Sequence, residues 1–389
     1  MDILIDEMEG ALWVGAAESR RLQALEIDPA GERVRAGAIY RARVVRIDAR
    51  LNAAFVDLDG LNHGMLNLGD VIPKNKDKPK ASNIGQHLQP GDAVLVQAKD
   101  GAIPLSGQDD APQAQAGKAP RVSMYLALPG RYLVYMPRES GNKISSRIRD
   151  KGLRQRLQAM LDDLQAYRGC ILRAAAANVQ TDVLLREADI LNEMWLQIAA
   201  DNMGSAPQQL AEGPGALQRV LGDTARDNIQ SLQIVTYEQY EAAEDFCSVF
   251  APDLVPRIEP VELVDPFADL ALFIYHELMS ELRRLCRSRV GLPGGGRIII
   301  ETTTAMTTID VDRADESRSN LAVMLEAVDE IARQLRLRNI GGAVIVDCLR
   351  LKSGKQRSQL VNHLSEAVQY DACSVQVHGF TNTGMLEIT

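Results

Sequence analysis

One stretch limits what this 389-residue chain can become more than any other: a strand, a long amphipathic segment and a second strand between Thr307 and Asp347. In Thr307-Thr308-Ile309-Asp310-Val311-Asp312, a period of two turns Ile309 and Val311 one way and both carboxylates the other. Ala343-Val344-Ile345-Val346-Asp347 is a second strand with an acidic end. Between them Leu321, Met324, Leu325, Val328, Ile331, Ala332 and Leu335 form one helical stripe. That helix runs from about Asn320, read as its N-cap, to Arg338, and Gly341-Gly342 follows it. A strand, a helix and a strand that bring Asp310 and Asp347 together would build a hard-cation site, the usual apparatus of phosphodiester chemistry.

The length predicts two to four domains. The first residues, Met1 to Glu7, are acidic and lack the basic n-region of a signal peptide, and no apolar run is long enough to span a bilayer. Cys170, Cys247, Cys286, Cys348 and Cys373 are scattered without a Cys-x-x-Cys spacing, which predicts reduced thiols in a cytoplasmic protein and argues against a zinc cluster. Net charge is −9, but its distribution is uneven. Arg131 to Arg156 holds eight Lys/Arg against two acids; Arg283 to Arg297 holds five arginines and no acid; Arg350 to Arg357 holds four basic residues and no acid. Each cluster alone reads as a solvated face. Basic clusters that bracket an acidic pair are what a metal-dependent nuclease needs, because phosphates must be drawn towards carboxylates that repel them.

Along the chain, residues 1 to 35 read as three short strands that must pair with something later. From Gly37 the pattern is strongly β, with Gly-x-Ile-Tyr, Ala-Ala-Phe-Val-Asp, His-Gly-Met-Leu and Gly-Asp-x-Val-x-Val in that order up to Gln97. This series resembles an S1 domain, an OB-type barrel that offers aromatic and basic side chains to single-stranded RNA. Helices are expected over Asp150–Ala166 and Thr181–Ala200, and Gly213-Pro214-Gly215 marks a boundary. An amphipathic helix from Pro266 carries Leu270, Phe273, Ile274, Leu278, Leu282 and Leu285. Arg297–Glu301 and Met306–Asp312 look like a hairpin, and the last strand is expected over Cys373–Val377.

Leu292-Pro293-x-Gly295-Gly296, the strand to Asp310, the run Leu325-Glu326-Ala327-x-Asp329-Glu330-Ile331-Ala332-Arg333 through Gly341-Gly342, Gly130-Arg131-Tyr132-Leu133-Val134-x-Met136-Pro137 and Gly384-Met385-Leu386-Glu387 together resemble the ribonuclease E/G family of bacterial endoribonucleases. The resemblance implies an α/β multidomain (α+β) fold. An S1 barrel (37–124) and a 5′-sensor region (125–213) would be inserted in a split RNase H-like domain (1–36 and 214–278), followed by a DNase I-like catalytic domain (279–389). It implies that Asp310 and Asp347 hold Mg²⁺, with Mn²⁺ as the alternative ion, for cleavage of single-stranded RNA, and that Asp312 assists. It also implies that Phe55, Lys118, Arg147 and Arg173 hold RNA, and Arg350 and Lys355 are added as RNA-binding cations from the third basic cluster.

The chain also departs from the family pattern. Asp312 stands for an Asn, Arg350 for an acid, Ala174 for a sensor Thr, Ser146 for a sensor Arg, and Met65 for a second stacking aromatic. The family's Cys-x-x-Cys zinc link would lie beyond Gly384-Met385-Leu386-Glu387, so no zinc and no zinc-linked tetramer is expected, though a homodimer is admitted. The rival expectation is an RNA-binding paralogue that does not cut. A phosphohydrolase acting on another polyanion is a third, which the S1-like segment argues against.

Overall fold

The computed structural model describes residues 1–73, 83–101, 119–146, 148, 150–224, 229–313, 317–368, 371 and 375–389. Two compact units divide the chain: Met1–Ile27 with Arg219–Thr389, and Asp28–Gln218 inserted between those two pieces.

The first unit opens with β1 (Asp2–Met8), β2 (Ala11–Glu18) and β3 (Arg21–Asp28). Glu9-Gly10 and Ser19-Arg20 all have positive φ, as the tight primed turns of hairpins require.

The inserted unit contains β4 (Ile39–Asp48), β5 (Ala53–Asp57), β6 (His63–Asn67), β7 (Ala93–Ala98) and β8 (Arg121–Ser123). These five close into a barrel, because β4 pairs with both β5 and β7 while β8 joins β6 to β7. Tyr40, Val44, Val56, Leu66, Val96 and Val122 fill it. The S1-like motifs thus end in an OB-like barrel. Beyond it come β9 (Leu128–Pro129), β10 (Leu133–Tyr135), β11 (Lys143–Ile144), α1 (Lys151–Asp163), β12 (Cys170–Leu172), α2 (Thr181–Asp201) and β13 (Gln208–Ala211). Strands β9 to β12 form a small sheet of order β11-β12-β10-β9, and β13 adds to β4.

The chain then forms α3 (Ala216–Asp223), β14 (Ser231–Ile234), α4 (Tyr237–Phe250) and β15 (Ile258–Pro260). Strand β14 runs parallel to β1, so the N-terminal strands do pair with a late segment. The helix expected from Pro266 is broken instead into α5 (Ala271–Tyr275) and α6 (Met279–Leu285). Leu270 and Glu277 are left-handed, at φ 54° and 59°. The buried Asp6 carboxylate accepts from the Leu272 amide at 2.8 Å, which anchors α5 to β1. Ile274, expected on the apolar stripe, is exposed.

The rest of this unit is β16 (Arg289–Gly291), β17 (Arg297–Thr302), β18 (Thr307–Asp312), α7 (Asn320–Leu337), β19 (Val344–Asp347), α8 (Gly354–Val368), β20 (Val377–Phe380) and β21 (Leu386–Ile388). The sheet order is β16-β17-β18-β19-β21-β20. Residues 372–374 of the expected last strand lie outside the described residues, and β20 begins at Val377. Helices α7 and α8 cover one face, where Ile298, Ile300, Ile309, Val311, Val344 and Val346 share one core. Among the described residues no helix is long and apolar enough to cross a membrane.

Much of the long motif in α7 serves packing. Glu326 accepts from the Gly294 amide and from Arg318, both at 2.7 Å, which holds the turn before β17. Gly295 and Gly296 take φ of 106° and 84° in that turn, a conformation that L side chains rarely adopt. Glu330 and Arg333 lie in a buried ion network that ties α7 to β3 and α6.

Candidate active site

Strands β17 and β18 form the expected hairpin, with Ile299 opposite Asp310 and Arg297 opposite Asp312. Helix α7 then carries the chain back so that β19 lies parallel to β18. In that register Asp310 is the direct partner of Asp347. Their flanking residues Ile309, Val311 and Val346 point into the helix-covered core, so the two carboxylates share the opposite face and both are exposed. Neighbouring strands lie about 4.8 Å apart, which puts the two side chains within reach of one ion. Among the described residues neither carboxylate is held by an ion pair or a side-chain hydrogen bond.

Asp312 differs. It is half-buried and forms an ion pair with Arg297, its partner across the hairpin. The structure therefore brings Asp310 and Asp347 together and gives Asp312 a resident cation. Among the described residues no three His, Cys, Asp or Glu side chains converge. Two carboxylates suit a hard ion that fills its other positions with water and phosphate oxygens, as Mg²⁺ commonly does. Burial pushes the thiol of Cys348, next to Asp347, up to about 12, and the charge of Asp347 adds to the shift.

Asn320 is not the N-cap of α7. Ser319 is, and its hydroxyl accepts from the Ala322 amide at 3.2 Å. That leaves the Asn320 amide to bridge, its oxygen accepting from Arg313 at 2.8 Å and its nitrogen donating to the Arg350 carbonyl at 2.9 Å. It thereby ties the chain just after β18 to the chain just after β19. Sequence reading missed this role because a polar residue at a helix start has an obvious local use. The Arg350 side chain is exposed and forms no ion pair among the described residues; Lys355, in the first turn of α8, is exposed too.

The remaining candidates belong to the inserted unit. On the outer wall of the barrel, Arg46, Phe55, Met65 and Arg121 are successive cross-strand partners. The Arg46 guanidinium lies 3.8 Å from the Phe55 ring centre, a cation–π contact on a half-exposed ring. Arg121 is paired with Asp100 at 2.8 Å. Arg173 donates to the Gly130 carbonyl at 3.2 Å, just before the short helical turn that Ala174 opens. The Gly130 turn is itself held by the buried Glu187, which accepts from the amides of Arg131, Tyr132 and Leu133 at 2.6, 3.0 and 2.9 Å. A Cβ at Gly130 would lie 2.5 Å from the Glu187 carboxyl carbon, which explains a glycine there. Lys118 and Arg147, both expected to hold RNA, lie outside the described residues.

A mixed α/β chain with an OB-like barrel and two aspartates in register on neighbouring strands has the architecture expected of a phosphodiester-acting protein that also binds a nucleic acid. Comparison with known proteins narrows the class. The profile of the Ribonuclease E/G family matches residues 127–389. Ribonuclease G of Salmonella typhimurium (strain SL1344) is 28% identical over 405 residues, spanning 100% of this chain and 79% of that protein. Ribonuclease G of Escherichia coli (strain K12) has the same identity and coverage. Ribonuclease E of Nostoc sp. is 29% identical over 363 residues, covering 91% of this chain and 50% of that protein. The chain belongs to the ribonuclease E/G family, the endoribonuclease family that its motifs resemble.

Proposed function

We propose that the chain is an endoribonuclease that cuts single-stranded RNA at Asp310 and Asp347, with Mg²⁺ as the ion they hold. The observation that carries this reading is the direct pairing of two exposed carboxylates that no cation of the described chain neutralises. Like charges directly opposite on neighbouring strands are destabilising, and such a pair is best explained by a cation from outside. When bound, Mg²⁺ supplies Lewis acidity towards a phosphoryl oxygen and an acidified water. The chain's own residues orient and bind. Asp310 and Asp347 fix the reacting position. Arg297 holds Asp312 beside it, and Asn320 ties the loops that follow the two acidic strands.

The same reading gives the barrel (37–124) the role of an S1 domain that stacks a base on Phe55, and 125–213 that of a 5′-end region using Arg173. Residues 1–36 and 214–278 form the RNase H-like part, and 279–389 the DNase I-like catalytic part. Lys118, Arg147, Arg350 and Lys355 add phosphate contacts.

Purified chain incubated with Mg²⁺ and AU-rich single-stranded RNA is expected to cut it. Asp310→Asn should lower the rate by about 10³-fold or more while RNA affinity stays within about twofold. Normal binding with no cleavage by the unaltered chain would overturn the reading in favour of an RNA-binding paralogue that does not cut.

A further inference from the structure

We infer that Arg289 is a substrate-binding residue, gripping an RNA backbone phosphate beside the one that reacts at Asp310 and Asp347; this rests on the endoribonuclease reading above. Successive pairings place Arg289 opposite Ile299, Ile299 opposite Asp310, and Asp310 opposite Asp347. The four form one cross-strand row. Val290 points into the helix-covered core, so Arg289 stands on the same face as the aspartates. Two strand spacings separate Arg289 from Asp310, roughly 10 Å at the backbone. Ile299 between them is apolar and takes no charge.

Arg289 is exposed and forms no ion pair among the described residues. The other arginine on this face, Arg297, is already taken by Asp312. The row therefore ends in two carboxylates at one side and an uncommitted guanidinium at the other. An RNA strand drawn across two acids needs a cation in the same row, and Arg289 supplies it at the outer edge strand β16. The exposed Arg283 and Arg287 precede it in a segment that contains no acid from residue 283 to 297. Sequence reading takes that segment as one of the basic clusters bracketing the acidic pair, without singling out an arginine. The register of β16 is what singles out one arginine.

The test measures binding of a single-stranded RNA oligomer over a salt series, in an Asp310→Asn background so that cleavage does not intervene. Arg289→Gln should weaken binding roughly fivefold and reduce the slope of log K against log salt by about 0.7, the contribution of one phosphate on a single strand. Arg289→Lys should restore the slope. Arg20→Gln, which removes an exposed arginine paired with Glu277, should leave both unchanged. In the cutting enzyme Arg289→Gln should raise KM about fivefold with kcat within twofold. Unchanged affinity, slope and KM in Arg289→Gln, while the unaltered chain cuts the same RNA, would overturn this inference alone. Failure of the unaltered chain to bind or cut single-stranded RNA would overturn the endoribonuclease reading and this inference with it.

Discussion

Two pairs of acids in the same unit are treated in opposite ways. Glu281 and Glu330 are buried, and each is saturated with donors. Arg333 reaches Glu281 at 3.0 Å and Glu330 at 2.8 Å, Arg21 and Arg284 take the other oxygen of each, and Gln334 donates to the Glu330 oxygen that Arg333 also holds. Asp310 and Asp347 are exposed, directly opposed and unpaired among the described residues. Both pairs lie on or beside α7 and its flanking strands. Burial forces an acid to find its partners within the chain, cations at Glu281 and Glu330 and backbone amides at Asp6 and Glu187, since an uncompensated buried charge costs several kcal/mol. Exposure lets an acid stand without one, and a matched pair left that way is available to an ion from solution. The long motif in α7 that marks the family is therefore mostly architecture. In the proposed reading the chemistry sits on the strands that α7 connects.

The largest effect should come from breaking the buried pair. Arg333→Met leaves Glu281 and Glu330 short of their shared cation and is expected to cost about 3–5 kcal/mol, read as a lower denaturant midpoint. A loss under about 1 kcal/mol would mean that Arg21, Arg284 and Gln334 carry the network without it. The contrast between saturated and open acids would then be weaker than the geometry suggests.

How much of this was legible beforehand follows from the range of each interaction. The hairpin, α7 and the acidic ends of β18 and β19 were readable because alternation and helical spacing are local. So was the late pairing of the N-terminal strands, since three short strands cannot stand alone. The long helix from Pro266 was misread because its apolar spacing is right, while what breaks it is distant in sequence: Asp6 holds the amide of Leu272 across 266 positions. Arg289 and Asn320 were missed for the same reason. A register between β16 and β17, or a bridge from Asn320 to Arg350, leaves no periodic trace. Asp312 was legible as an acid beside the site but not as the partner of Arg297, because hairpin pairing depends on a turn whose exact length sequence does not declare.

The open pair should respond in the reverse direction. Like charges directly opposite on neighbouring strands destabilise by roughly 0.2–1 kcal/mol, so Asp310→Asn or Asp347→Asn should raise stability by that order in metal-free buffer. Adding Mg²⁺ should stabilise the unaltered chain and not Asp310→Asn, measured as a shift in melting temperature at fixed protein concentration. Loss of stability in both variants without metal would mean that the aspartates are structural and would erase the contrast with Glu281 and Glu330.

Asp100 lies between the two extremes, a partly exposed acid that does hold a cation, and it sets the smallest expected effect. Its contact with Arg121 holds the Asp100 carboxyl below its usual value of 3.8, through the side-chain hydrogen bond first, then the Arg121 backbone amide and charge, against the opposing effect of burial. A carboxyl lowered in the folded state stabilises above its unfolded pKa, and the benefit is lost as pH falls through the lower folded value. The stability difference between the unaltered chain and Asp100→Asn should therefore be flat from about pH 5 to 8 and shrink below about pH 4. Because both partners are substantially exposed, the difference should stay under about 1 kcal/mol and fall further in high salt. A larger or salt-insensitive difference would show that a solvent-facing pair can stabilise this chain as strongly as a buried one. Exposure would then no longer distinguish an acid that awaits an external cation from one that serves the fold.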